Sequence, residues 1–304
     1  MMDECVTTIG LCKRYGSETC VDHLALKVPQ GAVYGFLGPN GAGKTTTLKM
    51  LLGLVHPSAG SVRLLGHELT PRTRLAILRE VGSLIESPSY YGHLTARENL
   101  EIVRRLRGLP AEEIDEALRT VRLDGQVKKP VNHFSLGMKQ RLGIAIALAG
   151  DPDFLVLDEP VNGLDPQGIV EMRELILKLN REKQITVLIS SHILDELSRL
   201  ATHYGIIVNG RMVKELSAEE LDTVCRKCVR MEVTDTSTLA RVLDSMNLEY
   251  KIISATTADV FAKINVTQLT VVLAKENCEV LSMQEKDESL ESYYISLVGG
   301  DNNA

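Results

Sequence analysis

The 304-residue sequence predicts an α/β fold in which helices cover a mostly parallel sheet. A glycine-rich segment, residues 38–46, stands between a short apolar run and a helical pattern, as expected where a strand leads into a helix. Further apolar runs of strand length alternate with helical stretches, which is typical of parallel sheets. From about residue 218 the order of elements changes. We therefore expect an α/β domain over residues 1–217 and a small α+β domain over residues 218–304.

The α/β domain is predicted to begin with β-strands. Residues 6–37 alternate short apolar runs with turn residues such as Gly16 and Gly31, a pattern that favours strands. Beyond the glycine-rich segment we predict a strand at residues 60–66, a helix at 71–79 and a strand at 81–85.

A helical insertion is predicted over about residues 88–150. Pro88 interrupts the strand pattern, and Thr95 and Glu98 then have the spacing of a capping box at the start of a helix. Apolar residues between Ile114 and Val121 line one face of a second helix. Ser135 begins a third helix, which runs to about residue 150. Strands resume at residues 154–157, 186–189 and 205–208.

The second domain is predicted to have the element order β-α-β-β-α-β. Strands are expected at residues 228–233, 250–254, 260–264 and 279–283, with helices at 238–246 and 267–275. This is the order of the ferredoxin-like, or split βαβ, arrangement. A last helix is expected at residues 290–297, and no chemistry is visible in this part of the chain.

Composition excludes several classes of function. The net charge of -6 argues against a protein that binds nucleic acid or anionic lipid through bulk charge. No apolar run approaches the roughly 20 residues of a membrane span, and the acidic N-terminus is not a secretory signal. The six cysteines show no disulfide framework, and the pair Cys225 and Cys228 lacks the second ligand pair of a structural zinc site.

The glycine-rich segment matches G-x-x-x-x-G-K-[ST], the pattern of a phosphate-binding loop. Its residues are Gly38, Pro39, Asn40, Gly41, Ala42, Gly43, Lys44, Thr45 and Thr46. The glycines allow consecutive backbone N–H groups to point at one anion, and the following helix N-terminus adds partial positive charge. Lys44 is expected to reach the β- and γ-phosphates, and the Thr45 hydroxyl to bind Mg²⁺.

A second motif supplies carboxylates. The apolar strand at residues 154–157 ends in Asp158 and Glu159. Asp158 is expected to hold Mg²⁺ opposite Thr45, and Glu159 to act as general base toward the attacking water. Tyr15 precedes the phosphate loop at a spacing that suits stacking on a base, although a loop or core tyrosine is equally compatible with the sequence.

Three further segments carry a resemblance to a known family. Residues 134–141, Phe-Ser-Leu-Gly-Met-Lys-Gln-Arg, look like the signature motif of ABC transporter ATPases. Residues 162–165, Asn-Gly-Leu-Asp, resemble their D-loop, and His192 resembles their switch histidine. The resemblance covers residues 4–217 in the family's order and spacing.

The resemblance implies that ATP is bound between two protomers. Ser135 and Gly137 of one protomer would cap the γ-phosphate of ATP held by the phosphate loop of the other, most simply in a head-to-tail homodimer. His192 would contact the γ-phosphate, Asp165 would couple the two sites, and Tyr15 would stack on adenine.

The sequence departs from the family pattern at two places. Leu136 and Met138 replace a glycine and a glutamine of the signature. Glu86 follows a strand where most of the family has a glutamine that bridges Mg²⁺ and the helical insertion. Glu86 would still be able to ligate Mg²⁺, and we hypothesise that it makes nucleotide binding more dependent on Mg²⁺ because it adds negative charge near Asp158 and Glu159.

Glu86, the signature and the segment Leu-Glu-Ser-Tyr-Tyr at residues 290–294 resemble the ATP-binding subunits of bacitracin-resistance and lantibiotic-immunity exporters. These subunits act with separate membrane-spanning permeases. The resemblance implies a cytoplasmic ATPase, held at the inner face of the membrane by a permease, that drives the export of peptide antibiotics. Residues 86–107 would receive the permease, with Tyr90, Tyr91 and Leu94 either exposed to it or packed internally.

Three alternatives remain open at this point. An exporter of lipids or other small molecules would carry the same ATPase motifs. A soluble ABC ATPase of translation or DNA repair is disfavoured, because such chains usually have two cassettes or a coiled coil. A regulatory nucleotide-binding module without turnover is disfavoured by the presence of Glu159 and His192.

Overall fold

The computed structural model describes residues 4–126, 128–224, 228–261, 266–286, 293–295 and 297. The chain divides into two compact units, of which the first ends at Ala218 and the second begins at Glu219. The helix α8 named below contains this boundary. Each unit has its own cluster of buried apolar side chains.

The first unit alternates strands and helices. Its elements in chain order are β1 (Glu4–Tyr15), β2 (Glu18–Leu24), β3 (Lys27–Pro29), β4 (Val33–Leu37), α1 (Lys44–Leu51), β5 (Ala59–Leu64), β6 (His67–Glu68), α2 (Arg74–Ile77), β7 (Val81–Leu84), α3 (Ala96–Arg107), α4 (Glu112–Thr120), α5 (Leu136–Leu148), β8 (Phe154–Asp158), α6 (Pro166–Lys183), β9 (Thr186–Ser191), α7 (Leu194–Ser198), β10 (His203–Val208) and β11 (Arg211–Ser217). The next helix, α8 (Ala218–Val224), begins at the last residue of this unit and continues into the second. Single 3₁₀ turns lie at Leu78–Glu80, Asp124–Gln126 and Val131–His133.

The larger sheet of the described chain has six strands in the order β11-β10-β4-β9-β8-β7. All neighbours pair in parallel except β10 and β11. Every residue of β4, β8 and β9 is buried, because strands covered on both faces need apolar side chains on both. The predicted parallel sheet is therefore confirmed.

The antiparallel strand β11 is absent from our sequence prediction. It follows β10 through Asn209 and Gly210, both with positive φ angles of 48° and 79°. An Asn-Gly pair between two strands is the typical two-residue hairpin turn, so the sequence does contain the signal for this edge strand.

A second, antiparallel sheet combines three strands of the predicted β-rich start with two strands, β5 and β6, that follow α1. Its strands follow the order β2-β1-β5-β6, and β3 pairs with β1. The predicted helical insertion is also confirmed, since α3, α4 and α5 stand between β7 and β8. Thr95 and Glu98 form the predicted capping box of α3, and the Ser135 hydroxyl caps α5.

The second unit follows the element order β-α-β-β-α-β. Its elements are β12 (Cys228–Val233), α9 (Thr236–Ser245), β13 (Tyr250–Ile252), β14 (Thr257–Val260), α10 (Val266–Lys275) and β15 (Val280–Lys286). Within the described residues these strands form an antiparallel sheet in the order β13-β14-β12-β15. The helix predicted at 290–297 lies largely outside the described residues.

One strand of the second unit was predicted too late in the chain. We expected it at residues 260–264, of which 262–264 lie outside the described residues, whereas β14 ends at Val260. The difference arises because Asp259, a charged residue of β14, is buried. A prediction that places strands by their apolar residues does not expect a buried carboxylate there. Arg230 on the neighbouring strand donates to both Asp259 oxygens, at 2.6 and 2.7 Å, and so makes this burial possible.

The predictions about membrane spans and disulfides are compared with the described residues alone. None of the helices there is long and apolar enough to cross a membrane. Cys5, Cys12, Cys20 and Cys278 are free thiols, and Cys225 of the C-x-x-C pair lies outside the described residues.

Candidate functional site

The candidate site lies where four parallel strands end. In the order β4-β9-β8-β7, the carboxyl ends of neighbouring strands meet at one edge of the sheet, which is where ligands bind in open α/β sheets. The phosphate loop follows β4, His192 follows β9, Glu159 follows β8 and Glu86 follows β7. The fold therefore brings together residues that lie up to about 150 positions apart in the chain.

The phosphate loop needs glycine at its two ends. A Cβ atom on Gly43 would lie 2.5 Å from the Cys20 carbonyl oxygen, and Gly43 has a φ of 100°. A Cβ atom on Gly38 would lie 2.5 Å from the Ile207 carbonyl oxygen. The loop backbone is thus packed between neighbouring strands, and α1 begins directly after it at Lys44.

Lys44 is buried, with 6% of its side chain exposed. Its ammonium group donates to the carbonyl oxygens of Gly38 and Pro39, at 2.7 and 3.2 Å. The same group lies 3.4 Å from Glu159 Oε1. The loop therefore holds a positive charge at the place where an incoming anion would meet the helix N-terminus.

Thr45 and Asp158 lie side by side, as the motifs predict. The Thr45 hydroxyl donates to Asp158 Oδ2 at 2.8 Å, and Asp158 is only 4% exposed. A hydroxyl and a carboxylate are hard oxygen donors, which Mg²⁺ prefers. These two residues therefore fit a magnesium site.

Glu159 and His192 form the other polar contact at this edge. His192 Nδ1 lies 2.6 Å from Glu159 Oε2, and Glu159 has a left-handed φ of 48°, which turns its side chain away from the strand. Non-glycine residues in this conformation often occur at functional sites. Glu159 thus contacts both Lys44 and His192.

Ser190 is a site residue that the sequence analysis missed. It is fully buried, and its hydroxyl donates to Asp158 Oδ1 at 2.5 Å. Ser190 Oγ in turn accepts a hydrogen bond from the Glu159 backbone N–H at 3.0 Å. In the sequence, Ser190 is a serine near the end of a buried strand, two residues before His192. Such a serine does not predict a site residue unless the neighbouring strand that it contacts is known.

The signature and D-loop residues cap helices. Ser135 Oγ accepts from the Met138 N–H at 3.3 Å, and Asp165 Oδ1 accepts from the Gly168 N–H at 2.9 Å. Both side chains are exposed. The two loops also contact each other, because a Cβ on Gly163 would lie 3.1 Å from Leu136 Cδ2 and one on Gly137 would lie 3.7 Å from Leu164 Cδ2.

Tyr15 ends β1 and is 49% exposed, so it is not a core residue. The Lys13 ammonium lies 4.9 Å from the centre of its ring, within the range of a cation–π contact. About half of the side chain is open to solvent, where a ligand would be able to contact it.

Glu86 pairs with a lysine of the phosphate-loop helix. Its carboxylate lies 2.6 Å from Lys49 Nζ, and its side chain is 64% exposed. Among the described residues, Glu86, Asp158 and Glu159 do not form a group whose ligand atoms lie within 4.8 Å of one another. The role of Glu86 as a metal ligand stays a prediction.

A separate cluster of possible metal ligands consists of Cys12, Asp22 and His23, whose ligand atoms lie within 4.8 Å of one another. Arg211 donates to Asp22 Oδ2 at 2.6 and 2.8 Å, and together with His23 it lowers the Asp22 pKa. Since Arg211 already neutralises the carboxylate, we interpret the cluster as an ion pair that joins β2 to β11.

Known proteins resemble this chain along most of its length. Residues 21–162 match the family model described as ABC transporter. The bacitracin transport ATP-binding protein BcrA of Bacillus licheniformis is 43% identical over 304 residues, which cover 98% of this chain and 99% of the relative. The lantibiotic transport ATP-binding protein SrtF of Streptococcus pyogenes is 45% identical over 206 residues, which cover 68% of this chain and 88% of the relative.

Solved structures share the fold of the first unit. The structure of cbiO1 from Clostridium perfringens, part of an ABC transporter complex, superposes with a TM-score of 0.67 at 24% identity. The superposition covers 73% of this chain and 91% of that chain. At this identity the likeness concerns the fold alone.

Proposed function

Because the chain belongs to the ATP-binding proteins of ABC transporters, we propose that it powers the export of peptide antibiotics of the bacitracin or lantibiotic type through a separate permease. The chain is an ATPase of this family. The observation that carries the proposed cargo is the match over nearly the whole chain to a bacitracin transport ATP-binding protein, supported by the shorter match to a lantibiotic transport protein.

In this proposal the residues at the sheet edge divide the chemistry of ATP hydrolysis. The loop amides and Lys44 bind the phosphates, and the charge of Lys44 stabilises negative charge on the γ-phosphate as it transfers. Thr45 and Asp158 would hold Mg²⁺, whose charge would offset that of the phosphate oxygens. Glu159 orients the attacking water and accepts its proton, while His192 holds the Glu159 carboxylate and contacts the γ-phosphate.

We propose that the active species is a head-to-tail homodimer. Ser135 is the exposed N-cap of α5, and the half-buried Gly137 lies in the first turn of the same helix, so the start of α5 is available to a second copy. The start of α5 contacts residues 163–164, which directly precede Asp165. A change at one ATP site of the dimer would therefore be able to reach the other through Asp165. Tyr15 presents an exposed ring for adenine.

Glu159→Gln tests both the base and the dimer. We expect ATP hydrolysis to fall by about a hundredfold or more, because the amide cannot accept a proton, while ATP binding persists. The ATP-bound state should then accumulate as a dimer, measured by light scattering during size-exclusion chromatography.

Glu174→Gln on the outer surface of α6 is the matched control and should behave as the wild type. The dimer should also disappear in Glu159→Gln combined with Ser135→Arg. A monomer at saturating ATP in the single variant would contradict the sandwich arrangement.

The permease is proposed to dock on the start of the helical insertion. Tyr91 is 56% exposed, and its backbone is held by hydrogen bonds to Asn99 at 2.7 and 3.1 Å. Tyr90 and Leu94 are partly buried. An exposed aromatic side chain on a hydrogen-bonded backbone suits a protein interface. Docking there would place the chain at the inner face of the membrane.

The cargo is tested in cells that carry the intact chain together with its membrane partner. We expect the chain to copurify with a polytopic membrane protein from detergent extracts. Loss of the chain should sensitise cells to bacitracin or lantibiotics, and only the wild type, not Glu159→Gln, should restore resistance. Unchanged susceptibility with an intact complex would favour the export of lipid or another small molecule.

A further inference from the structure

Two glutamates occupy equivalent positions at the ends of adjacent strands. In the parallel pair of β7 and β8, Leu84 is opposite Leu157, so Glu86 and Glu159 both lie two residues beyond matched positions. Both have left-handed backbones, with φ angles of 60° and 48°. The register therefore puts a second glutamate directly after the strand next to that of the proposed base, at the edge where ATP is proposed to bind.

The helix of the phosphate loop supplies a separate cation for each glutamate. Lys44 at the start of α1 lies 3.4 Å from Glu159 Oε1, and Lys49 in its last turn lies 2.6 Å from Glu86 Oε1. Lys49 is 30% exposed and Glu86 is 64% exposed. Ion pairs this open to water contribute little to the free energy of unfolding. We therefore expect the pair to matter for where the Glu86 charge lies and not for folding.

We propose that Lys49 is a positioning residue for Glu86. Its ammonium neutralises the Glu86 carboxylate and directs it toward α1, so that a residue with a full negative charge is tolerated next to the triphosphate. Without Lys49 the Glu86 carboxylate is free to turn toward the phosphates and Asp158, and it repels ATP most strongly when no metal is present. This inference rests on the proposed nucleotide site.

A double-mutant cycle on the full chain tests this role. The variants are Lys49→Met, Glu86→Gln and the double variant, with ATP affinity measured by titration calorimetry in EDTA and again in excess Mg²⁺. We expect Lys49→Met to weaken binding of metal-free ATP by about fivefold or more beyond its effect on Mg²⁺-ATP. In the Glu86→Gln background, the same substitution should change the ratio of the two affinities by less than about twofold.

Two controls separate the positioning role of Lys49 from the general effect of removing a positive charge. Lys49→Arg keeps the charge and should keep the wild-type ratio of affinities. Lys178→Met removes a lysine that pairs with Glu182 on α6, and it should leave the ratio unchanged. Thermal unfolding of every variant checks that the fold is intact.

The results distinguish the inference from the function on which it rests. If the wild type binds ATP and Lys49→Met has the same effect with and without Glu86, the positioning role is wrong while the nucleotide site stands. If the folded wild type binds no ATP in either condition, the proposed site itself fails.

Discussion

At the scale of single residues, Ser190 joins the Asp158 carboxylate to the backbone of Glu159. Its hydroxyl donates to the Asp158 side chain at 2.5 Å and accepts from the Glu159 N–H at 3.0 Å. Hydrogen bonds to a charged group are stronger than neutral ones and fix its orientation. One hydroxyl on β9 thus sets where the proposed metal ligand and the proposed base lie relative to each other.

Ser190→Ala is expected to lower kcat about tenfold, because Asp158 and Glu159 lose their shared partner and a misplaced group slows the reaction. The buried carboxylate left short of a donor should also lower the free energy of unfolding by about 1–3 kcal/mol. Steady-state ATPase assays and urea denaturation measure the two effects.

The neighbouring Ser191→Ala is the matched control. Ser191 Oγ accepts from the Ile193 N–H at 2.9 Å, and its hydrogen bonds within the described part of the chain involve Ile193 rather than Asp158 or Glu159, so turnover should stay near the wild-type value. Equal losses in the two serine variants would show that the β9 end matters only for packing.

At the scale of elements, α3 shows how local chemistry determines a helix. Thr95 and Glu98 cap its start, and Gly108 ends it in the left-handed conformation with a φ of 70°. Within the helix, Glu101 accepts hydrogen bonds from Arg104 at 2.8 Å and from Arg105 at 2.6 Å. These two guanidinium groups, Arg104 above all, lower the Glu101 pKa to about 2.

This pKa predicts how α3 responds to acid. Since the Glu101 pKa is lower in the folded chain than its ordinary value of 4.5, its ion pairs stabilise the fold above that value and are lost as the pH falls toward 2. Glu101→Gln should therefore lower the thermal midpoint slightly at pH 7, and the difference from the wild type should shrink steadily between pH 4.5 and pH 2. Differential scanning calorimetry measures the two thermal midpoints at each pH. If their difference stays constant with pH, packing and not charge is responsible.

At the scale of the whole molecule, the chemistry is confined to the first unit. All residues of the candidate site precede Ala218, where that unit ends. The second unit is stabilised by a separate core that includes Met231, Val233, Leu239 and Leu243. The two units are therefore expected to respond separately to core mutations.

Leu239→Ala tests this separation. Leu239 is fully buried, and truncation of such a side chain typically costs about 2–5 kcal/mol. Hydrogen exchange followed by mass spectrometry should show faster exchange in β12, α9 and β14, while ATP affinity stays at the wild-type value. A parallel loss of ATP affinity would show that the units are energetically coupled.

Much of the fold was predictable because its signals are local. Buried strands such as β8 are continuous apolar runs in the sequence, and the capping residues Thr95 and Ser135 indicate where helices begin. The prediction failed where a polar side chain was buried by a partner, as Asp259 is by Arg230. It also failed at β11, where we did not use the Asn-Gly turn.

The sequence by itself determined the phosphate loop, the carboxylates that end β8 and the order of strands and helices, because each is encoded by neighbouring residues. Only the tertiary structure decided that Ser190 joins Asp158 to Glu159 and that Lys49 pairs with Glu86. These partners lie 32 and 37 residues apart. Their meeting depends on the register of parallel strands and on where α1 packs, and no spacing along the chain specifies either.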